Sequence, residues 1–203
     1  QYIKLISSTP IRNMATMAGN LVNASPIGDM SIFFLALDSD LVLNKSGAIR
    51  TIKLKSFYKG YKQIDKGTEE IIEKIIFKPP QKNSFNFEKV SKRTHLDIAS
   101  VNSACQIQMN NDGVIEDIHL SAGGVAPFPK YLKDTASFLK GKKINAEILK
   151  EAIRIMNAEI APISDARGTK EYKKLLLRQL FLAHFQVVDQ KLNPVIKNTL
   201  QPL

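Results

Sequence analysis

Cysteine occurs once in the 203 residues, at Cys105. That excludes an internal disulfide and any self-contained iron–sulfur cluster, which takes about four thiolates. The three histidines, His95, His119 and His184, are far apart and show no metal-ligand spacing. Long hydrophobic runs are missing too: the longest, Ile32 to Leu37, falls far short of the roughly 20 residues that a membrane-spanning helix needs. There is no internal repeat and no low-complexity segment. Gln1 is not an initiator methionine and nothing near it reads as a signal peptide, so a processed chain or a fragment is expected. Like charges do not form blocks either, although 29 Lys+Arg against 19 Asp+Glu leave a net charge of +10. Lysines spread in this way, with no aromatic–basic motif, read as a solvated surface. Docking on an acidic partner or an anionic ligand is the alternative, and nucleic-acid binding rests on net charge alone.

What is present is an ordinary globular composition, 44% apolar and 24% charged, which argues against disorder. Residues 7–31 form a long stretch punctuated by Gly and Pro, too long for an ordinary connection and therefore a candidate functional loop. Asp29 reads as the start of a short buried helix. Leu41–Leu43 and Ile49–Leu54 flank a hairpin turn at Asn44–Gly47, and Ile71–Phe77 is a strand stopped by Pro79–Pro80. Residues 78–84 are the best candidate linker. Beyond it, Phe85–Ser91, Ile98–Met109 and Val114–Ala122 read as strands, the last two joined by a turn at Asn110–Gly113. The last third turns helical. Tyr131–Leu139 ends at Gly141, Asn145 caps a helix carrying Ile148, Leu149, Ala152, Ile153, Met156 and Ile160, and Thr169 caps another. Tyr172, Leu176, Leu180, His184 and Val187 are expected on the apolar side of that last helix. Everything after Gln190 is expected to be a tail or the start of a truncated linker. Strands followed by helices predict an α+β protein.

Four segments could carry chemistry. Arg12–Asp29 combines small residues, hydroxyls and amides, which suits either a pyrophosphate or sugar–phosphate ligand or a self-satisfied turn. Phe87–Asp97 gathers Lys89, Lys92, Arg93, His95 and Asp97 at a strand end, a common ligand position but also the ordinary look of a charged edge strand. Gly123–Pro129 and Pro162–Gly168 read as structural turns, the second held by Asp165 and Arg167. His184 is expected to be a satisfied core or interface residue, and Cys105 an inert small hydrophobe. No nucleophile–base–orienter set and no paired carboxylates emerge, so no catalytic residue and no metal ligand is assigned.

Taken together, IRNMATMAGNLVNASPIGD (11–29), FYKGYK (57–62), EEIIEKI (69–75), FEKVSKRTHLDIASV (87–101), SAGGVAPFP (121–129) and PISDARGTKEYKKLLL (162–177) resemble, in order, the FAD-binding portion of the xanthine dehydrogenase and carbon monoxide dehydrogenase (molybdenum hydroxylase) family. The resemblance implies the second half of a PCMH-type FAD-binding domain at 1–83, a small antiparallel sheet with a helical bundle at 84–190, and a tail at 191–203. It implies that the first half of the flavin domain is missing, so that the chain holds half a cofactor site. It further implies FAD as cofactor, with Fe–S clusters and molybdopterin on partner domains or subunits of a cytoplasmic hetero-oligomer, and NAD or another oxidant as electron acceptor. No nucleic acid or membrane partner is implied. By position, Thr16, Gly19 and Asn20 would contact the FAD diphosphate region, and Ser25 and Asp29 adjoining polar parts. Ile72 would pack near the flavin ring and Lys89 near its polar edge, where a cation favours the reduced anion. The turn at Thr94–Asp97 would face the electron acceptor. The family shows two glycines where this chain has Ala18–Gly19; if the first needed a positive φ, Ala18 would be strained. A cofactor-free interaction or assembly module with the same fold is the alternative reading.

Overall fold

The computed structural model describes residues 2–82, 84–93 and 97–200. The stretch read as a long loop holds two short helices, α1 (Thr9–Met14) and α2 (Met17–Asn23), ahead of α3 (Asp29–Ala36). Side-chain caps start the first two, Ser8 accepting from the Ile11 amide and Thr16 from the Gly19 amide. Ala18 lies inside α2 and is unstrained; the residue in the left-handed region is Ala24, which ends that helix at φ 48°. α3 is apolar all round because it is buried all round, which accounts for the Ile32–Leu37 run.

β1 (Asp40–Lys45) and β2 (Ala48–Lys53) form the expected hairpin, turning through Ser46 and Gly47, both at positive φ, with Asn44 Oδ1 accepting from the Gly47 amide at 2.8 Å. A small hairpin of β3 (Tyr58–Gly60) and β4 (Gln63–Ile64) follows. β5 (Ile71–Ile76) then returns to pair with β1, giving the antiparallel order β2-β1-β5. The second sheet is an antiparallel meander, β6 (Phe85–Val90), β7 (Val101–Met109), β8 (Ile115–Gly123) and β9 (Lys130–Tyr131). β7 is buried on both faces. Cys105 and Ile107 point into a cluster with the C-terminal helices, and Ala104 into another with α3, Phe85 and Phe87.

The helices are α4 (Lys133–Leu139), α5 (Ala146–Glu159), α6 (Lys170–Val188) and α7 (Asn193–Leu200). Asn145 and Thr169 cap α5 and α6 as expected, and Gly141 follows α4 at φ +79°. Three expectations are corrected. Tyr131 belongs to β9, and α4 starts at Lys133. On α6, Leu180 and His184 are buried but Tyr172 and Val187 are exposed and Leu176 is half-buried; the buried face runs Lys173, Leu177, Leu180, Phe181, His184, Phe185. Residues beyond 190 form a 3-10 turn (Gln190–Leu192) and α7, whose Ile196 is buried in the C-terminal cluster. Pro194 occupies the first turn of α7, where a missing N–H costs nothing.

His184 is fully buried between Asn86, 3.0 Å from Nδ1, and Ser103 Oγ, 2.9 Å from Nε2. The Asn86 amide donates to Nδ1, so Nε2 carries the proton and donates to Ser103, whose hydroxyl donates to Ser121 O at 2.8 Å. Burial depresses the His184 pKa to about 3. The unfolded chain binds a proton near 6.5 that the folded chain refuses, so stability falls as pH drops below 6.5, by at most about 1.4 kcal/mol per pH unit. Urea unfolding at pH 7 and pH 5 is expected to show this fall, and His184→Gln to flatten it. An unchanged pH slope in that variant would assign the acid sensitivity elsewhere.

Candidate functional site

Where α1, the α2–α3 turn, β6, the 97–100 segment and the 163–167 loop meet, they enclose a cavity of about 680 Å³. That is the size of a small-molecule or cofactor pocket. Its first wall is the turn Ser25–Gly28, closed by a Gly28 amide to Ser25 O bond at 3.0 Å. Asn20 reaches across from α2, its Oδ1 accepting from the Ser31 amide at 3.3 Å, while its Nδ2 has no protein acceptor among the described residues. At the floor Asp29 makes two strong contacts. Its Oδ2 lies 2.7 Å from Lys89 Nζ, and its Oδ1 accepts from Asn102 Nδ2 at 2.6 Å. Lys89 also donates to Leu5 O at 3.0 Å. The Lys89 and Asp29 side chains are only 5% and 12% exposed, so the ammonium is held at a fixed point beside its counter-charge.

The opposite wall comes from the C-terminal half. Gly124, at φ +82°, donates its amide to Pro26 O at 2.8 Å and fastens the end of β8 to the Ser25–Asp29 turn. In the 162–168 loop, Asp165 Oδ1 accepts from the Arg167 amide at 2.8 Å and Oδ2 lies 2.7 Å from Lys173 Nζ. Lys173 is 3% exposed and donates also to Ile163 O at 2.9 Å. The Lys173 hydrogen bond holds the Asp165 carboxyl below the usual carboxylate range. This bond explains why the buried face of α6 starts at a lysine. The Arg167 guanidinium lines the cavity with no acidic partner within 4 Å among the described residues.

Of the residues singled out from sequence, Asn20, Ser25, Asp29 and Lys89 line this one cavity. Thr16 and Gly19 lie outside its lining, where the Thr16 hydroxyl is occupied capping α2. Ile72 sits on β5 opposite Leu43, packed against the α3 cluster and also outside the lining. Asp97 lines the cavity, and the Arg93 amide at 2.9 Å leads the contacts that lower its carboxyl pKa. The rest of the turn expected to face the acceptor, Thr94, His95 and Leu96, lies outside the described residues. Gly124, Arg167 and Lys173, read as turn and helix residues, join the site, and Asn102 was missed. The usable signals were a lysine in register with Leu177, Leu180 and His184, and a polar pair, Asn102–Ser103, inside an apolar strand. Burial pushes the Cys105 thiol up, in keeping with an inert residue. Among the described residues no group of three His, Cys, Asp or Glu side chains is placed to hold a metal, and no helix is long and apolar enough to cross a membrane.

The cavity joins two segments that match known families. Residues 1–80 match the FAD binding domain in molybdopterin dehydrogenase, and residues 87–188 the CO dehydrogenase flavoprotein C-terminal domain. The chain belongs to the FAD-binding part of the molybdenum hydroxylase family. It is 30% identical to xanthine dehydrogenase 1 of Arabidopsis thaliana over 95% of its own length and 15% of that protein's. It is 26% identical to the nicotinate dehydrogenase FAD-subunit of Eubacterium barkeri, over 91% of this chain and 64% of that one. The fold is that of a chain in the carbon monoxide dehydrogenase of Hydrogenophaga pseudoflava, with a TM-score of 0.81 at 23% identity over 96% of this chain and 65% of that one. The chain thus spans about a seventh of the xanthine dehydrogenase and just under two thirds of the FAD-subunit it matches.

The lining fits a flavin dinucleotide. Ile27 and Ile98 offer apolar surface for a ring, and Asn20, Asn23 and Ser25 offer neutral polar groups for a ribityl or phosphate chain. Gly28 keeps the turn thin, because a Cβ there would stand 3.1 Å from Ser31 Oγ and 3.3 Å from Asn20 Oδ1.

Proposed function

We propose that this chain is the flavin-holding, electron-transfer part of a cytoplasmic molybdenum hydroxylase. It would act with a 2Fe–2S domain and a molybdopterin-binding subunit and deliver electrons to NAD or another acceptor. The observation that carries this reading is that Asn20, Ser25, Asp29 and Lys89 converge on one cavity at the seam between the two family-matched segments. Bound FAD supplies the redox chemistry; the chain's own residues position it and set its electrostatics. Asn20 serves the diphosphate region and Ser25 and Asp29 the adjoining polar atoms, while Thr16, Gly19 and Ile72, outside the cavity lining, would meet parts of FAD that extend beyond it. Lys89, fixed by Asp29 and Leu5 O, supplies positive charge at the ring's polar edge and excludes free rotation of that charge. The chain by itself holds FAD weakly and is without oxidoreductase activity, since the iron–sulfur and molybdenum centres belong to its partners.

Flavin fluorescence quenching tests this. The chain is expected to bind FAD saturably but weakly, and Lys89→Met to lower the midpoint potential of the bound flavin. A chain that binds no flavin even at millimolar FAD would overturn the reading and favour the assembly module instead.

A further inference from the structure

A second cavity, of about 640 Å³, shares no lining residue with the first. It lies between the 54–58 segment, β8, β9 and α4. On its wall Tyr131 OH stands 2.7 Å from His119 Nδ1, and His119 Nε2 3.2 Å from Asp117 Oδ2. A carboxylate only accepts, so Nε2 carries the imidazole proton and Nδ1 accepts from the Tyr131 hydroxyl. The other Asp117 oxygen accepts from Lys140 Nζ at 3.0 Å. Lys55 is also committed: its Nζ lies 2.9 Å from Asp38 Oδ1 and 5.3 Å above the Tyr131 ring. These contacts make a rigid wall whose own donors are spent inward.

What remains is unspent. Lys130 and Lys133 line the cavity with no acid and no hydrogen-bond acceptor among the described residues, and the Ser56 and Ser137 hydroxyls are likewise unpaired. Other lysines of the neighbouring segments are paired, Lys53 with Asp38 and Asp40 and Lys59 with Asp65. Of the four lysines in the lining, Lys55 is balanced by Asp38 and Lys140 by Asp117, which leaves the charges of Lys130 and Lys133. The α4 N-terminus adds no pull of its own, since the Glu159 carboxylate already accepts from the Asp134 and Thr135 amides at 3.0 and 3.1 Å. Ile118, Phe128 and Ala136 supply an apolar side.

We infer that this second cavity binds a small phosphate-bearing ligand, with Lys130, Lys133, Ser56 and Ser137 as donors and the apolar side taking an organic body. Several short-range donors with no acceptor of their own suit the many oxygens of a phosphate group better than a single carboxylate. A concave site of this volume suits a small molecule better than a protein surface. The site stands apart from the flavin reading and does not depend on it.

Calorimetric titration of the protein at low salt tests the inference, with pyrophosphate, ADP and adenosine as probes. Pyrophosphate and ADP are expected to bind at one site and adenosine not at all; tighter binding of ADP marks a nucleotide source, and equal binding a free phosphate compound. Lys130→Gln and Lys133→Gln are each expected to weaken binding about tenfold. Lys142→Gln, a surface control, and Arg167→Gln, in the first cavity, are expected to leave it unchanged. The His119 imidazole resonances should shift on saturation, which reports the site without relying on any variant. No saturable binding at millimolar probe, equal loss in the Lys142 control, loss on Arg167→Gln, or preference for an acidic peptide would each overturn it.

Discussion

Asp29→Ala is expected to destabilise the fold by about 3–5 kcal/mol, the cost of removing one partner from a buried ion pair. The substitution strands the Lys89 ammonium, 5% exposed, with Leu5 O as its one remaining acceptor. It also frees Asn102 Nδ2, which would keep only its 3.2 Å bond to Ile27 O. Asp29→Asn should cost far less, because an amide oxygen can still accept from one of the two donors. Pairing Asp29→Ala with Lys89→Met removes the stranded charge and should recover much of the loss. Urea midpoints for the set decide the matter: Asp29→Ala within about 1 kcal/mol of the parent would show that the pair is solvated and holds nothing in place.

Gly124→Ala is expected to be nearly as damaging. A residue with a side chain at φ +82° costs about 1–2 kcal/mol on conformational grounds alone. The new Cβ would stand 2.4 Å from Ser100 O, a backbone atom with little room to move, and 3.1 Å from Ile27 Cγ2. Relief requires β8 to retreat from the Ser25–Asp29 turn, breaking the Gly124 amide to Pro26 O bond. Gly141→Ala supplies the comparison, since Gly141 has a similar φ, +79°, with nothing within 4 Å of the added atom. Gly124→Ala should therefore lose at least about 3 kcal/mol, a fall of roughly 6–12 °C in a chain of this size, and Gly141→Ala only the conformational part. Equal falls in the two melting temperatures would mean that the contact with Ser100 relaxes freely.

Much of the local structure was legible. The turn at Asn44–Gly47, the caps at Asn145 and Thr169 and the stop at Gly141 are decided by a few neighbouring atoms, and a linear sequence displays those. Residues 7–31 were not legible as helices, because α1 and α2 are one or two turns long and too short to stand without tertiary support. The face of α6 was misread by one position for a similar reason. Lys173 looks like a surface residue until Asp165 and Ile163 O are seen to hold its ammonium inside. Of the site, the polar turn and Lys89 were readable as a motif. Asn102 and Gly124 were not, since their roles depend on strands from the second sheet meeting the α2–α3 turn.

That meeting has a consequence for how the chain can be divided. The two family-matched segments are separated in sequence by residues 81–86, yet Phe87 and Ala104 of the second share one apolar cluster with Leu21, Ile32 and Leu35 of the first. Ser121 Oγ donates to Ile32 O at 2.7 Å across the same seam, and Ser103 ties Ser121 back to His184 on α6. A chain cut in the linker would expose an apolar face on each fragment. The border between the matched segments is thus a border of homology, and the apolar cluster runs across it. A version of the chain that carries one side of the seam alone would leave that cluster open to solvent.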